Sequence, residues 1–204
     1  MGASSLRRRL VAGLIRPLPG QAILDIGCGT GSITRFLPKG VAYHGYDISE
    51  PYIAYARRHF ADRGTFKPRA FSSEEIPSLR PIDTALALGL LHHLNDDECI
   101  SLFRLIRRAL KPDGRFISLD GCYTEGQNPI ARFIIDRDRG RNVRDPSSYE
   151  RLARTVFRQV EGKVHHRSWI PYTYSIMECS GTAEACSRFA AWSCAIARRD
   201  GPKP

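Results

Sequence analysis

Apolar positions along this chain follow two rhythms that take turns. Leu6, Leu10, Val11, Leu14 and Ile15 recur at helical spacing and predict an amphipathic helix, stopped by Pro17 and Pro19-Gly20. From residue 21 to residue 120, short continuous apolar runs alternate with helical spacings. The runs at 23–26, 41–47 and 82–89 read as strands, and a fourth run follows a Pro112/Gly114 turn. The stretches 32–37, 49–60 and 101–110 read as helices. Such alternation builds a parallel sheet with helices on both faces. Residues 121–145 break the rhythm with Gly121, Gly126, Pro129 and Gly140, and enclose a short helix at 130–135. A helix over 147–157, capped by Ser147 or Ser148, precedes two strands at 159–169 and 172–179, joined near Ile170-Pro171. The reading is one domain over 1–180 and a tail over 181–204, with Phe189, Trp192 and Ile196 on one helical face.

Chemistry concentrates where the first strand ends. The run Ile23-Leu24-Asp25-Ile26 stops at Gly27-Cys28-Gly29-Thr30-Gly31, three glycines spaced two apart. Glycine accepts positive φ and lets a ligand approach without a Cβ in the way. A helix start directly after the turn aims its amides at whatever lies above. This is a cradle for a nucleoside cofactor. The dinucleotide fingerprint G-x-G-x-x-G fails at its third position, which is Ser32, and the phosphate loop G-x-x-x-x-G-K-[ST] is absent. The pattern resembles motif I of the class I S-adenosylmethionine-dependent methyltransferases, [VIL]-L-D-x-G-x-G-x-G. Leu90-Leu91-His92-His93-Leu94 is similar to the segment after the fourth strand in small-molecule members. The run 110–116, Leu-Lys-Pro-Asp-Gly-Arg-Phe, is similar to the family's turn into strand five. The run 169–179 resembles the ending of a bacterial subgroup of that family. The resemblance implies a Rossmann-like, mostly parallel seven-stranded sheet with an antiparallel closing hairpin and helices on both faces.

It also implies roles. Gly27, Cys28 and Gly29 supply backbone contacts to the methionine part of S-adenosylmethionine, and Asp25 orders the loop and reaches the cofactor's amino group through water. Asp47 ends the second strand, where a carboxylate accepts from both hydroxyls of a ribose. Its other reading is a cap for the helix at 49–60, a task that Ser49 can also perform. Ile48 lies against the adenine, and Leu88 and Gly89 offer carbonyls to the methionine ammonium. Many relatives carry an acid after strand three; here Ser72 holds that place, with Ser73 beside it as a second adenine neighbour. The product would be S-adenosylhomocysteine.

A sulfonium methyl is already electrophilic, so a base is needed only if the acceptor loses a proton. His92 and His93 follow strand four at the edge where acceptors bind, and the residues alone do not separate them. Tyr123, after strand five, is an acceptor-pocket candidate by position. The formal charge of +10 is uneven: residues 132–167 hold ten Arg or Lys against five Asp or Glu. That stretch overlaps the irregular 121–145 segment, the family's lid over the acceptor. Arg132, Arg137, Arg139, Arg141 and Arg144 are therefore candidates for an anionic small-molecule acceptor, or a solvated face. A basic surface also suits RNA. Against that stand the missing N-P-P-[YF] motif at strand four and the scarcity of aromatics among the arginines. The favoured reading is transfer to an oxygen nucleophile on an anionic or sugar-like intermediate. Its competitors are an RNA methyltransferase and a non-catalytic cofactor-binding scaffold.

Composition adds boundaries. No stretch approaches the roughly 20 apolar residues of a membrane span. The basic N-terminus lacks the apolar run of a secretory signal, and Leu6 breaks the myristoylation pattern. Six cysteines with no C-x-x-C spacing read as reduced thiols of a cytoplasmic protein, with no metal site, and Cys28 reads as packing.

Overall fold

The computed structural model describes residues 2–137, 140–167 and 172–181. The 182–204 tail, Arg139 and the predicted link at Ile170-Pro171 lie outside the described residues.

The first helix, α1 (Gly2–Arg9), runs on into a π-helical turn over Leu10–Ile15. Arg16, at φ 44°, closes that turn by donating its amide to the Val11 carbonyl at 2.8 Å. Leu10, Val11, Leu14 and Ile15 are buried, as their spacing predicts. Five parallel strands follow the alternation: β1 (Ala22–Ile26), β2 (Ala42–Tyr46), β3 (Thr65–Lys67), β4 (Ile82–Leu88) and β5 (Leu110–Gly121). The closing hairpin is β6 (Gln159–Arg167) with β7 (Tyr172–Ser180). The seven strands stand in the order β3-β2-β1-β4-β5-β7-β6, with β7 antiparallel to both neighbours. One face carries the α1 turn and α2 (Glu50–Phe60), through Leu14, Ile53, Ala56 and Phe60. The other carries α3 (Asp96–Ala109) and α5 (Pro146–Arg154), through Phe103, Ile106, Tyr149 and Leu152.

Four expectations need correction. The helix after the glycine turn is only a 3-10 stretch, Ser32–Phe36. Its sequence is short and interrupted by Pro38, so one turn is all that forms. The helix expected at 101–110 begins at Asp96, because Asn95 and Glu98 form a reciprocal capping box. Helix α5 is capped by Asp145, which accepts from the Ser148 amide and from both serine hydroxyls. Finally, the Pro112/Gly114 turn is not a separate loop. It is an excursion of β5, between the pairs Ile82↔Leu110 and Thr84↔Arg115. A fourth α-helix, α4 (Pro129–Asp136), sits inside the irregular segment where the short helix was expected.

One buried cation fixes the N-terminal helix to the sheet. The Arg115 guanidinium donates to the Leu14 carbonyl at 2.9 Å, to the Ile15 carbonyl, and to Glu178 on β7 at 2.8 Å. Replacing it with methionine strands two carbonyls and a carboxylate away from water. Arg115→Met should lower unfolding stability by about 3–5 kcal/mol in a urea titration, and an unchanged midpoint would contradict the assigned role.

Candidate active site

The strand order reverses at β1, which pairs with β2 on one side and β4 on the other. Loops leaving β1 and β4 therefore turn apart and open a crevice at the carboxyl edge of the sheet, where open α/β sheets bind ligands. The glycine turn follows β1, Asp47 and Ile48 follow β2, Ser72 and Ser73 follow β3, and Leu88, Gly89, His92 and His93 belong to the end of β4. Topology thus brings every predicted cofactor residue to one edge.

Three glycines of the turn take positive φ: 73° at Gly27, 54° at Gly29 and 64° at Gly31. A Cβ at Gly31 would stand 2.5 Å from Phe66 and one at Gly27 would press on Leu90, whereas one at Gly29 would enter open space. The cradle's mouth is therefore at Gly29. The loop's amides are largely spoken for. Gly27 and Cys28 both donate to the Tyr46 carbonyl, at 2.8 and 3.1 Å, and Gly29 donates to Asp47 Oδ2 at 2.8 Å. The other oxygen of Asp47 accepts from the Ser49 amide at 2.8 Å. Asp47 thus serves the start of α2, as its second reading held, and also ties the glycine turn to β2. Two donors leave room on a carboxylate, which has about four acceptor sites. Ile48 is 80% exposed beside it, an apolar surface with no protein cover.

Asp25 is buried beneath the turn. Its Oδ2 accepts from the Tyr43 hydroxyl at 2.6 Å, and its Oδ1 is buried with no hydrogen-bond partner. Burial raises the carboxyl to about 6, against which the Tyr43 hydrogen bond and the Arg7 charge work. Cys28 faces the same region; burial and the two aspartates push its thiol up, so it packs rather than attacks. The described cysteines are all free thiols.

Past strand three, Ser72 is half-buried at the start of a 3-10 turn, Ser73–Ser78, and Ser73 is exposed. Glu75 is the buried acid here. It accepts from the Tyr46 hydroxyl at 2.9 Å and pairs with Lys67 and with Arg69 at 3.2 Å. It holds the serine turn against β2 and β3.

The two histidines part company in the fold. His92 is buried, and its Nδ1 lies 2.8 Å from Asp120 Oδ1. Asp120 is the penultimate residue of β5, with its other oxygen buried and unpartnered. Among the described residues, Nε2 of His92 carries no hydrogen bond. His93 is exposed, its ring 4.2 Å from that of His92. Sequence reading passed over Asp120, although it ends a strand in an acid just as Asp47 does.

The irregular segment folds back over this pair. Gly140 packs directly against the His92 ring, and Asn142 donates its amide to the His92 carbonyl at 2.9 Å. Arg144 is not available to an acceptor: it donates to the carbonyls of Leu91, Leu94 and Asn142 and pairs with Asp96 at 2.7 Å. It locks the segment to the turn after β4. Tyr123 donates to Asp136 at 2.8 Å and lies under Arg132, 5.2 Å away. Arg137 sits 3.6 Å over the Phe133 ring, and Arg141 is exposed.

Comparison with known proteins places this geometry. Residues 24–116 match a family model described as a methyltransferase domain. A tRNA U34 carboxymethyltransferase of Aeromonas hydrophila is 34% identical over 130 residues, which are 58% of this chain and 39% of that protein. A ubiquinone biosynthesis O-methyltransferase of Pseudomonas paraeruginosa is 31% identical over 119 residues, 56% of this chain and 48% of its own length. The structure of human N-acetylserotonin methyltransferase in complex with SAM superposes with a TM-score of 0.63 at 20% identity, over 86% of this chain and 51% of that one. Residues 24–116 are thus similar to a methyltransferase domain, and the fold is shared with the solved methyltransferase. The chain spans about half or less of the length of these relatives. The methyltransferase match begins at Leu24, one residue before the buried Asp25, and ends at Phe116 within β5. Asp120 and the covering segment therefore lie beyond it.

The buried Asp25 makes a testable demand on this domain. Its carboxyl titrates near 3.8 unfolded and near 6 folded, so the folded state holds the proton longer. Stability should fall as pH rises from about 4 to about 6, and stay lowered by roughly 3 kcal/mol above that. Asp25→Asn keeps an acceptor for Tyr43 and removes the charge. Thermal denaturation should show the variant more stable than the parent at pH 7.5, with a flatter profile between pH 4 and 6. A variant less stable at pH 7.5 would refute the burial cost.

Proposed function

We propose that this methyltransferase domain binds S-adenosylmethionine across the crevice between β1 and β4 and methylates an oxygen nucleophile on a small anionic or sugar-like acceptor, leaving S-adenosylhomocysteine. When bound, the cofactor supplies an electrophilic methyl on a sulfonium. The residues present fit it. The open space at Gly29, the partnerless oxygen of Asp25 and the bare Ile48 are a cradle, a charged acceptor and an apolar shelf. Gly27, Cys28 and Gly29 shape the wall for the methionine part. The carbonyls of Leu88 and Gly89 and the Asp25 carboxylate receive its ammonium, and the spare lone pairs of Asp47 receive the ribose hydroxyls. Ser72 and Ser73 border the adenine.

The observation that carries the acceptor chemistry is the 2.8 Å contact between His92 and Asp120. Asp120 accepts from Nδ1–H and so holds the tautomer whose Nε2 lone pair can take a proton from an acceptor hydroxyl. The buried carboxylate also stabilises the imidazolium that results. The segment carrying Gly140 and Asn142 keeps water from the ring. His93 borders the pair from the solvent side. Tyr123, Arg132, Arg137, Arg139 and Arg141 are assigned to the acceptor's anionic portion, and Arg144 is removed from that set. The reading places the enzyme in the cytoplasm, where its thiols stay reduced. Among the described residues, no helix is long and apolar enough to cross a membrane.

RNA is the second reading, supported by the +10 charge and by the relative named for tRNA. The full chain, given S-adenosylmethionine labelled in its methyl group, is to be incubated with separated small-molecule and RNA fractions of a cell extract. Label should enter the small-molecule fraction. Label confined to RNA would replace the favoured acceptor class with the second. His92→Gln should cut transfer by about 10²–10⁴ while leaving cofactor affinity in place; wild-type turnover in that variant would remove His92 as the base.

A further inference from the structure

Asp120 uses one carboxylate oxygen and leaves the other idle. Its Oδ1 accepts from both the Nδ1 and the backbone amide of His92, at 2.8 and 3.3 Å. Its Oδ2 is buried and accepts from nothing among the described residues. Directly across the β5–β7 ladder stands Ser175, only 2% exposed, whose hydroxyl is buried and equally without a partner there. Both side chains face the same core. Side chains alternate along a strand, and Phe116 and Cys122 before and after Asp120, like Met177 and Cys179 after Ser175, lie an even number of residues away in the core beneath α3 and α5. Opposed residues of such a pair have Cβ atoms about 4.5–5.5 Å apart. One rotation about the serine Cα–Cβ bond brings its hydroxyl to the carboxylate.

The two orphaned groups are chemically complementary. A carboxylate oxygen can only accept, and a hydroxyl has a proton to donate. Two nearby donors are committed elsewhere: the Tyr149 hydroxyl to the Gly121 carbonyl at 3.1 Å, and the Arg144 guanidinium to three carbonyls and Asp96. On its other flank Ser175 meets Val164 of β6, which has no polar side-chain atom. We propose that the Ser175 hydroxyl donates to Asp120 Oδ2, which makes Ser175 a positioning residue that holds the carboxylate with Oδ1 presented to His92. This rests on the reading of His92 as the base given above. It adds to that reading a residue of the closing strand β7, outside the matched residues 24–116. Ser175 touches no acceptor and acts through Asp120. The bond also draws charge from the carboxylate, so it moderates how strongly Asp120 stabilises the imidazolium. The other titratable or charged groups around this pair are Cys99 of α3, Cys122, Tyr149 of α5, Arg144 and His93.

The test is a heteronuclear NMR titration of the histidine ring nitrogens in the full chain. It compares the parent with Ser175→Ala, Ser175→Thr, Asp120→Asn and the Asp120→Asn/Ser175→Ala double variant; His92→Gln identifies the His92 signals. Losing the donor returns charge to Asp120, so Ser175→Ala should raise the pH at which the His92 ring gains its proton by about 0.5–1 pH unit. Ser175→Thr keeps a hydroxyl and should restore the parent value. In the Asp120→Asn background Ser175→Ala should add nothing. The acid limb of labelled methyl transfer to the small-molecule fraction should move up with the ring, lowering transfer there by about three- to tenfold. An unchanged His92 midpoint in Ser175→Ala overturns the proposal. So does an equal shift in the Asp120→Asn background, which would place the effect of Ser175 outside the carboxylate. Parent-like transfer by His92→Gln overturns the base reading instead, and the role of Ser175 in the reaction with it, whatever the titration gives.

Discussion

β1 is held in two ladders at once, and the site depends on that constraint. Its residues pair with β2 from Ala22 to Ile26 and with β4 from Ile23 to Asp25. The strand is buried along its whole length, so its register cannot slip without moving apolar side chains from core to crevice. With the register fixed, the chain must leave β1 at Gly27, between two elements that diverge. Positive φ at Gly27, Gly29 and Gly31 is the backbone's answer, and it puts the only aspartate of β1, Asp25, directly beneath the turn.

Around that edge the protein keeps several charged or polar groups out of water with incomplete pairing. Asp25 and Asp120 each bury one oxygen without a partner, although an unsatisfied polar atom ordinarily costs stability. Two other buried charges are paired more completely: Glu75 with Tyr46, Lys67 and Arg69, and Arg144 with three carbonyls and Asp96. The contrast separates two jobs. Glu75 and Arg144 hold loops in place, whereas Asp25 and Asp120 stand under the glycine turn and beside His92. Polar groups left wanting at a concave edge are the physical mark of a surface shaped for a ligand.

Much of this was legible in the residues, and the remainder failed for identifiable reasons. Gly27, Gly29 and Gly31 announced the turn because only positive φ explains glycine at that spacing between a buried strand and a helical start. Asp47 was legible as a strand-end acid, but its engagement with Gly29 and Ser49 depends on two elements that sequence cannot superpose. His92 and His93 are adjacent and chemically identical on paper. Only the pairing of β4 with β5 brings Asp120 to one of them. Arg144 looked like its neighbours Arg137 and Arg141 in a basic run, yet tertiary packing spends it on carbonyls.

The central claim is that this edge takes a sulfonium nucleoside and not a dinucleotide. The most direct measurement is isothermal titration of the purified full chain with S-adenosylmethionine and, separately, with NAD. Saturable binding of S-adenosylmethionine in the micromolar range, with no heat from NAD, is the predicted result. Binding of NAD with none of S-adenosylmethionine would contradict the account, because Ser32 would then be standing in for the third glycine of a dinucleotide turn.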